Sequence, residues 1–163
     1  MTGTLDDDIR SREGSEPLLD ELSMQIIREL QADGRRPYTS IARAVGLSEA
    51  AVRSRVQRLL DAGVMQIVAV TDPLRVGLHR QAMVGVKADG DVRDVARRLA
   101  ASPEIDYVVI TSGAYDVLVE LTARDDEHLL EVINAQIRQV DGVREAEVFV
   151  YLRLEKQTYS WGT

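Results

Sequence analysis

The sequence predicts an α+β fold in two parts, and three observations support this prediction. Apolar residues recur at helical spacing in three short segments between residues 18 and 61. After residue 80 the pattern changes to β-branched segments and two amphipathic helices in the order βαββαβ. The two halves also differ in charge. We therefore expect a helical N-terminal domain followed by a sheet-based C-terminal domain.

Composition limits the classes of protein to consider. The 163 residues are 45% hydrophobic and 29% charged, which is typical of a soluble globular chain. The sequence contains neither a run of about 18 apolar residues for a membrane span nor a secretory signal, so a cytoplasmic location is expected. Cysteine is absent, and His79 and His128 are expected to be exposed or hydrogen-bonded rather than catalytic. We predict no cofactor and no metal site.

The first half begins with a polar segment, residues 1–17, whose composition predicts a disordered tail. A first, helical domain is expected over residues 18–68. Its first helix is predicted from Leu18 to just before Gly34 by apolar residues at helical spacing, namely Leu19, Leu22, Ile26, Ile27 and Leu30. Thr39 is expected to cap a short second helix that ends at Gly46.

A tight turn after Gly46 leads into a third helix, residues 49–61. Gly46 supplies the positive φ that such a turn needs, and Ser48 is a favourable N-cap. The third helix has an apolar stripe of Val52, Val56, Leu59 and Leu60, and small residues near its start, namely Ala50, Ala51 and Ser54. Small side chains let a helix approach base edges closely. The segment therefore predicts a helix-turn-helix that places this helix in the major groove of DNA.

The distribution of charge favours the same interpretation. The net charge is −7, yet residues 35–58 contain six arginines and only one acid, Glu49. Residues 71–163 contain eleven basic and sixteen acidic side chains. The first half is therefore suited to contact phosphate groups, unlike the second. The alternative is that these arginines are only the solvated faces of ordinary helices.

Individual DNA contacts follow from these positions. Phosphate or orienting contacts are predicted for Arg35, Arg36, Thr39, Ser48, Arg55 and Arg58. Base-edge contacts are predicted for Glu49, Ala50, Arg53, Ser54 and Gln57. Pairing of Arg53 with guanine and of Gln57 with adenine would discriminate most between sequences. Arg55 has an alternative role, because on the flank of the apolar stripe it can pair with an acid such as Glu29 or Asp61.

The segment after the third helix, residues 64–70, is predicted to be extended, as a wing strand followed by a connector. The first domain would then be a winged helix-turn-helix, and residues 69–79 would form a hinge. Six elements follow: strand 81–88, helix 91–101, strands 105–111 and 115–122, helix 126–140 and strand 144–154. This order predicts a ferredoxin-like domain over residues 80–163, with both helices on one face of a four-stranded antiparallel sheet.

The other face of this sheet is expected to be uncovered. The apolar side chains expected on it are Val84, Val86, Val117, Val119, Phe149 and Tyr151. Large exposed apolar patches are uncommon in monomers. We therefore expect a homodimer in which a second copy covers part of this face.

A turn between the two middle strands is a candidate ligand site. Ser112-Gly113-Ala114 offers backbone amides and a glycine where a carboxylate can approach, and Asp116 can meet an ammonium group. These are the two charged groups of an amino acid. The alternative is a plain hairpin turn, with Tyr115 in the sheet core and Asp116 capping a backbone amide.

Several longer segments carry a family resemblance. They are Leu19-Asp20, Ile26-Ile27, Leu30, Asp33-Gly34-Arg35, Val45-Gly46-Leu47-Ser48, Arg55-Val56-Gln57-Arg58-Leu59, Gly63-Val64-Met65 and Thr111-Ser112-Gly113-Ala114-Tyr115-Asp116. Through them the chain resembles the leucine-responsive regulatory protein (Lrp/AsnC, feast/famine) family over nearly everything after residue 18. The family usually has an acidic residue where Ser23 stands, and both residue types can cap a helix.

This resemblance implies a winged helix-turn-helix, a hinge strand and a regulatory domain of the RAM or ACT-like type. Such domains dimerise through their sheets and often assemble further into octamers. Amino acids or related metabolites bind between them, close to the turn that matches Thr111, Ser112, Gly113, Ala114, Tyr115 and Asp116. The implied function is a sequence-specific transcriptional regulator whose assembly or DNA affinity responds to such an effector.

Two other functions compete with this one. Sirohaem decarboxylases resemble the same two-domain plan, but a tetrapyrrole enzyme would be expected to carry more histidine and arginine in its second domain. The second competing function is that of an oligomeric metabolite-binding protein with an inactive DNA-binding domain. The six arginines and the intact turn argue against it. We therefore predict a protein that is not an enzyme.

Overall fold

A computed structural model describes residues 18–158, so the predicted tail, residues 1–17, lies outside the described residues. The chain forms two compact units, with a boundary between Ala69 and Val70, and the second unit extends to Lys156. The division falls at the start of the segment predicted as a hinge. Each unit has a hydrophobic core of its own.

The first unit contains three helices, α1 (Glu21–Ala32), α2 (Tyr38–Val45) and α3 (Glu49–Asp61). Helix α1 begins after Asp20, whose side chain accepts a hydrogen bond from the Ser23 amide at 2.7 Å. Helix α3 begins in the same way after Ser48, whose hydroxyl accepts from the Ala51 amide at 3.2 Å. The helices pack around a common core of Ile26, Leu30, Ile41, Ala42, Val45, Val52 and Val56.

The turn between α2 and α3 has the predicted form. Gly46 ends α2 with φ of 72°, a left-handed conformation in which glycine has no Cβ to clash. The prediction that Thr39 caps α2 is wrong. Pro37 occupies the cap position without a side-chain hydrogen bond, and its carbonyl accepts from the amides of Ser40 and Ile41. The helix starts two residues earlier than a threonine cap would place it, and the fixed φ of proline favours this start.

A buried ion pair fixes α3 against the start of α1. Arg55 is only 7% exposed, and its Nη1 donates to Asp20 Oδ2 at 2.6 Å and to Ser23 Oγ at 3.2 Å. The Ser23 amide and hydroxyl, together with Arg55, lower the pKa of Asp20 to about 2. The prediction of a phosphate contact by Arg55 is therefore wrong. Its alternative role is the correct one, although the partner is Asp20 rather than Glu29 or Asp61.

The predicted wing strand does not form. Residues 64–70 have no regular secondary structure, although Met65 packs against the helical core. A strand needs a neighbouring strand to pair its backbone groups, and no described residue of this chain pairs with the segment. Four of its large apolar side chains are correspondingly exposed, those of Val64, Ile67, Val68 and Val70.

The second unit begins with a 3₁₀ turn at Pro73–Val76, followed by a sheet and two helices. Its strands are β1 (Arg80–Ala88), β2 (Tyr107–Ile110), β3 (Val117–Ala123) and β4 (Val143–Val150). Its helices are α4 (Val92–Leu99) and α5 (Asp126–Val132), and α5 continues as a π-helical segment at Ile133–Arg138. The strands are antiparallel in the order β2-β3-β1-β4. This confirms the predicted four-stranded sheet.

Three predicted strands are longer than the observed ones, because each strand extends only as far as its backbone pairing. Strand β2, predicted over residues 105–111, is limited to Tyr107–Ile110, the residues that pair with β3. Strand β4 was expected to reach Leu154, but its partner β1 begins at Arg80, and the last backbone bond runs from the Tyr151 amide to the Gln81 carbonyl. Residues beyond Tyr151 have no strand beside them. Strand β3 begins at Val117 rather than residue 115, because the two preceding residues belong to the turn.

Both helices pack on one face of the sheet, as predicted. The core on this face is built from the inward residues of β1 and β3 and the apolar sides of α4 and α5, including Val95, Leu99, Leu129, Val132 and Ile137. The N-terminus of α5 is capped by Asp125, which accepts from the His128 amide at 2.8 Å. The sheet therefore has one face that is covered within the chain.

The prediction of which side chains lie on the open face is largely wrong. Val84, Val86, Val117 and Val119 are fully buried in the core beneath the helices. The open face instead carries the alternate residues, such as Met83, which pairs with Phe149 across β1 and β4. Phe149 is 42% exposed, and Tyr151 lies just beyond the end of β4. Successive side chains of a strand point to opposite faces of the sheet. When both alternating sets are apolar, residue type alone does not show which set faces the core.

Replacing Arg55 with alanine is expected to weaken the helical unit by about 1.5–3 kcal/mol, because charged hydrogen bonds to Asp20 and Ser23 are lost. Amide hydrogen exchange of α1 and α3 in the full chain measures this change. Arg53→Ala is the matched control on the same helix. It removes only exposed interactions, with Glu49 and the Tyr38 ring, and is expected to cost less than about 1 kcal/mol. Equal costs for both variants would contradict the structural role of Arg55.

Candidate functional site

One exposed side of α3 carries all of the predicted base-edge residues. Val52, Val56 and Leu59 hold the opposite side in the core. The spacing of four residues between Glu49, Arg53 and Gln57 places them along one line of the helix surface. The exposed set comprises Glu49, Ala50, Arg53, Ser54 and Gln57. Helix α3 therefore presents a mixed surface of small, amide and guanidinium side chains that is suited to reading a DNA groove.

The longer side chains on this surface already have partners within the chain. Arg53 Nη2 donates to Glu49 Oε1 at 2.8 Å, and its guanidinium lies over the ring of Tyr38, 5.3 Å from the ring centroid. Gln57 Nε2 donates to Asp61 Oδ1 at 2.8 Å. Such exposed interactions contribute at most about 1 kcal/mol. Because each side chain uses only part of its donors in these contacts, Arg53 and Gln57 can also donate to a ligand.

The predicted phosphate contacts divide into three groups. Arg35, Thr39 and Arg58 are exposed, on the α1–α2 turn, in the first turn of α2 and on α3, respectively. Two others serve the fold as well, because Arg36 pairs with Glu29 and the Ser48 hydroxyl caps α3. Arg55 is buried against Asp20 and takes no part in this surface.

Two residues of this surface were not predicted as contacts. Arg43 is exposed in the last turn of α2, and it was counted only in the local charge. Tyr38, the first residue of α2, lies under Arg53. The sequence gives one signal for this residue, an aromatic side chain within the arginine-rich segment 35–58. The contact itself depends on the packing of α2 against α3, which the sequence does not show.

The candidate ligand turn connects β2 and β3 and is held by its own hydrogen bonds. The Thr111 amide donates to the Asp116 carbonyl at 2.9 Å, and the Thr111 hydroxyl donates to the Tyr115 carbonyl at 2.6 Å. The three residues between them, Ser112, Gly113 and Ala114, are exposed. The turn thus presents accessible backbone on a closed, hydrogen-bonded base.

Asp116 is tied to the neighbouring strand. Its Oδ2 accepts from the Ala88 amide at 2.9 Å, and its own amide donates to the Val86 carbonyl at 2.9 Å. This is the backbone-capping role that the hairpin alternative assigned to it. A carboxylate held in this way keeps a fixed position, and its half-buried side chain retains accessible surface.

Tyr115 lies on the open face of the sheet and not in the core that the hairpin alternative predicted. Its ring covers Gly85 and meets Phe149 edge-on, with 6.0 Å between the ring centroids. Its hydroxyl donates to the Glu147 carboxylate, and this hydrogen bond raises the pKa of Tyr115. The turn is thereby anchored to β1 through Gly85 and to β4 through Glu147 and Phe149.

A separate cavity of about 200 Å³ lies beside α5, lined by Glu104, Arg124, His128, Glu131, Val132, Ala135 and Gln136. His128 is buried next to it, and its Nδ1 accepts from the Arg124 amide at 3.2 Å. This is the hydrogen-bonded histidine that the sequence predicted. Within residues 18–158, no cluster of three potential metal-ligating side chains occurs, and no helix is long and apolar enough to cross a membrane.

Both units match known domains. The AsnC-type helix-turn-helix domain matches residues 19–60. The PF0864 C-terminal dimeric alpha+beta barrel domain matches residues 78–163. Together these two matches span most of the chain.

Whole proteins show the same relationship. An uncharacterized HTH-type transcriptional regulator of Pyrococcus abyssi is 35% identical over 144 residues, which cover 87% of this chain and 91% of that protein. The HTH-type transcriptional regulator FL11 of Pyrococcus horikoshii is 33% identical over 142 residues, covering 86% and 93%. Among solved structures, the Neisseria meningitidis regulator NMB0573 in complex with L-Met is 26% identical with a TM-score of 0.78, covering 88% and 96%.

The helix-turn-helix unit and the four-stranded unit define a two-domain DNA-binding transcriptional regulator. The chain belongs to the Lrp/AsnC family of these regulators, which confirms the resemblance seen in the sequence. Because its relatives are transcriptional regulators with a DNA-binding domain, the chain is a regulator and not an enzyme. The sirohaem decarboxylase alternative has no support.

Gly85→Ala is expected to destabilise the sheet unit by about 1–3 kcal/mol, because the added Cβ would lie 2.6 Å from the Tyr115 ring and would displace it. Urea unfolding of the full chain measures the cost. The same substitution combined with Tyr115→Ala is the control, and there the extra cost over Tyr115→Ala alone is expected to be small. A similar cost with and without the ring would show that Tyr115 does not make Gly85 necessary.

Proposed function

We propose that this regulator binds a specific duplex DNA sequence through α3, with residues 18–68 as its DNA-binding domain. The observation that supports this proposal is the exposed line of Glu49, Arg53 and Gln57 on a helix whose opposite side is buried in the core. Arg53 would read guanine and Gln57 adenine, and Ala50 and Ser54 would let the helix approach the groove floor. The proposed contacts thus occupy one continuous side of a rigid helix.

Phosphate contacts on either side of the groove would come from Arg35, Arg36, Arg43 and Arg58, with Thr39 and the amides at Ser48 as orienting groups. Four arginines near one helix provide the salt-dependent part of affinity. The relatives named above come from Pyrococcus and Neisseria, whose cells have no nucleus, so a cytoplasmic location is proposed for this regulator too. Arg55 has no direct part in binding, and it acts by holding α3 in position.

We further propose that residues 80–163 form a ligand-binding and oligomerisation domain, joined by a hinge at residues 69–79. The open sheet face supports dimer formation, because Met83, Tyr107, Leu118 and Phe149 leave apolar surface on it. The domain matched by this half of the chain is itself described as dimeric. Dimers would pair two copies of α3 at a fixed spacing and assemble further into octamers.

The effector would be an amino acid or a related small metabolite, bound at the turn of Thr111, Ser112, Gly113, Ala114, Tyr115 and Asp116. The L-Met complex of NMB0573 supports this chemistry. In this chain the exposed amides of the turn can meet a carboxylate, and Asp116 can meet an ammonium group. Binding would change the assembly or the spacing of the DNA-binding domains.

DNA containing the regulator's own promoter region tests the first proposal. The preference of the protein for promoter DNA over random DNA is expected to fall by about tenfold or more when Arg53→Ala is combined with Gln57→Ala. Each bidentate base contact contributes about 1–3 kcal/mol to this preference. Binding of the unsubstituted protein is expected to weaken steeply with added salt. Fluorescence anisotropy over a range of salt concentrations gives both quantities.

Arg35→Ala is the control for that experiment. It is expected to weaken binding to promoter and random DNA alike and to lower the salt slope by about one. An unchanged preference for the promoter in the Arg53 and Gln57 double variant would exclude the proposed base contacts. Absence of any salt-dependent DNA binding by the unsubstituted chain would exclude the DNA function of this surface.

Light scattering with and without each of the twenty amino acids tests assembly and effector together. We expect a dimer or a larger even-numbered assembly whose mass changes with at least one amino acid. Asp116→Asn keeps an oxygen for the Ala88 amide but removes the charge, so it is expected to assemble normally and to need at least about tenfold more effector. No response of the unsubstituted protein to any amino acid would reject the proposed effector class.

A further inference from the structure

We propose that Tyr38 is a positioning residue of the DNA interface, which sets sequence preference by holding the guanidinium of Arg53 in the orientation that a base edge requires. The inference rests on the proposed base contact of Arg53. It goes beyond that proposal in assigning a role to a residue on α2, outside the helix that would enter the groove. The observation that carries it is the contact of Arg53 with the Tyr38 ring.

The ring of Tyr38 is a fixed platform. Tyr38 begins α2 and is half-buried, and its side chain packs against the hydrophobic core of the helical unit. An aromatic ring held by a core has few alternative positions. Its outer face is therefore presented at a constant position beside α3.

The guanidinium of Arg53 lies on this platform. Its Cζ is 5.3 Å from the ring centroid, within the range of about 6 Å over which a cation is attracted to the face of an aromatic ring. The side chain of Arg53 is otherwise exposed, with 65% of its surface accessible. An exposed arginine without such a contact would sample many rotamers, so the ring restricts the directions in which its donors point.

Glu49 provides a second restraint one helical turn earlier. Its Oε1 accepts from Arg53 Nη2 at 2.8 Å. The guanidinium is thus held by a ring on α2 and by a carboxylate on α3. A guanidinium has five N–H donors, and one hydrogen bond to Glu49 leaves others for a bidentate contact.

This arrangement is expected to affect sequence preference more than overall affinity. A bidentate contact with guanine requires two N–H groups in one plane and one direction, whereas a phosphate accepts a cation from many directions. Ordering Arg53 before binding lowers the entropic cost of the directed contact. Loss of the ring should therefore reduce discrimination between sequences and leave the salt slope unchanged.

The test is a double-mutant cycle on DNA affinity. Tyr38→Leu removes the ring but keeps an apolar side chain for the core, and Tyr38→Phe removes only the hydroxyl. Each is made alone and together with Arg53→Ala, and affinities for promoter and random DNA are compared. We expect Tyr38→Leu alone to lower the promoter preference by about two- to fivefold. We expect Tyr38→Phe to retain it, and neither change to have an effect once Arg53 is alanine.

A spectroscopic measurement on the unsubstituted protein tests the geometry independently of how Tyr38→Leu folds. The side-chain protons of Arg53 are expected to show an upfield ring-current shift in the NMR spectrum of the free protein. The shift is expected to persist in Tyr38→Phe. Arg53 protons at the positions of a freely solvated arginine would overturn the proposal.

The remaining outcomes also distinguish the proposals. An equal loss from Tyr38→Leu with and without Arg53 would show that Tyr38 acts by another route, and would overturn this inference while the DNA function stands. A loss from Tyr38→Phe as large as that from Tyr38→Leu would point to a direct contact of the hydroxyl with DNA and would also overturn it. If Arg53→Ala alone leaves the preference unchanged, the base contact itself fails, and the positioning role fails with it.

Discussion

The buried pairing of Arg55 with Asp20, together with the apolar stripe of α3, fixes which side of this helix meets solvent. An arginine on the core side of a helix is costly unless its charge is matched, and here the matching carboxylate also caps α1. One aspartate therefore starts one helix and fixes the rotation of another. The line of Glu49, Arg53 and Gln57 is exposed because Arg55 and the apolar stripe are both held inward.

In the sheet unit, too, one packing contact helps to form the proposed functional surface. This contact is made by the ring of Tyr115. The absence of a side chain at Gly85 lets Tyr115 lie flat against β1. Glu147 and Phe149 then hold the same ring from β4. The turn that carries the proposed effector site is thus in contact with both β1 and β4. A structural change on the open sheet face would therefore also displace the turn.

Much of this architecture was evident from local patterns. The bounds of α3, the glycine turn before it, the Ser48 cap and the βαββαβ order all follow from spacing and capping chemistry, which act over a few residues. The exposed line on α3 could be predicted for the same reason, since one helix fixes the relative directions of its own side chains. The role of Arg55 remained ambiguous, because its position on the flank is compatible with both a phosphate and a buried carboxylate.

The sequence by itself determined the elements, their order and the surface of each helix, because hydrogen bonds and periodicity within a segment specify these. Tertiary structure alone decided the contacts between segments: Asp20 as the partner of Arg55, Tyr38 beneath Arg53, and the helix-covered position of Val84 and Val119. It also decided that residues 64–70 remain unpaired in this chain. Each of these outcomes depends on which distant residue occupies the neighbouring space, and burial and pairing free energies settle that choice only when the whole unit packs.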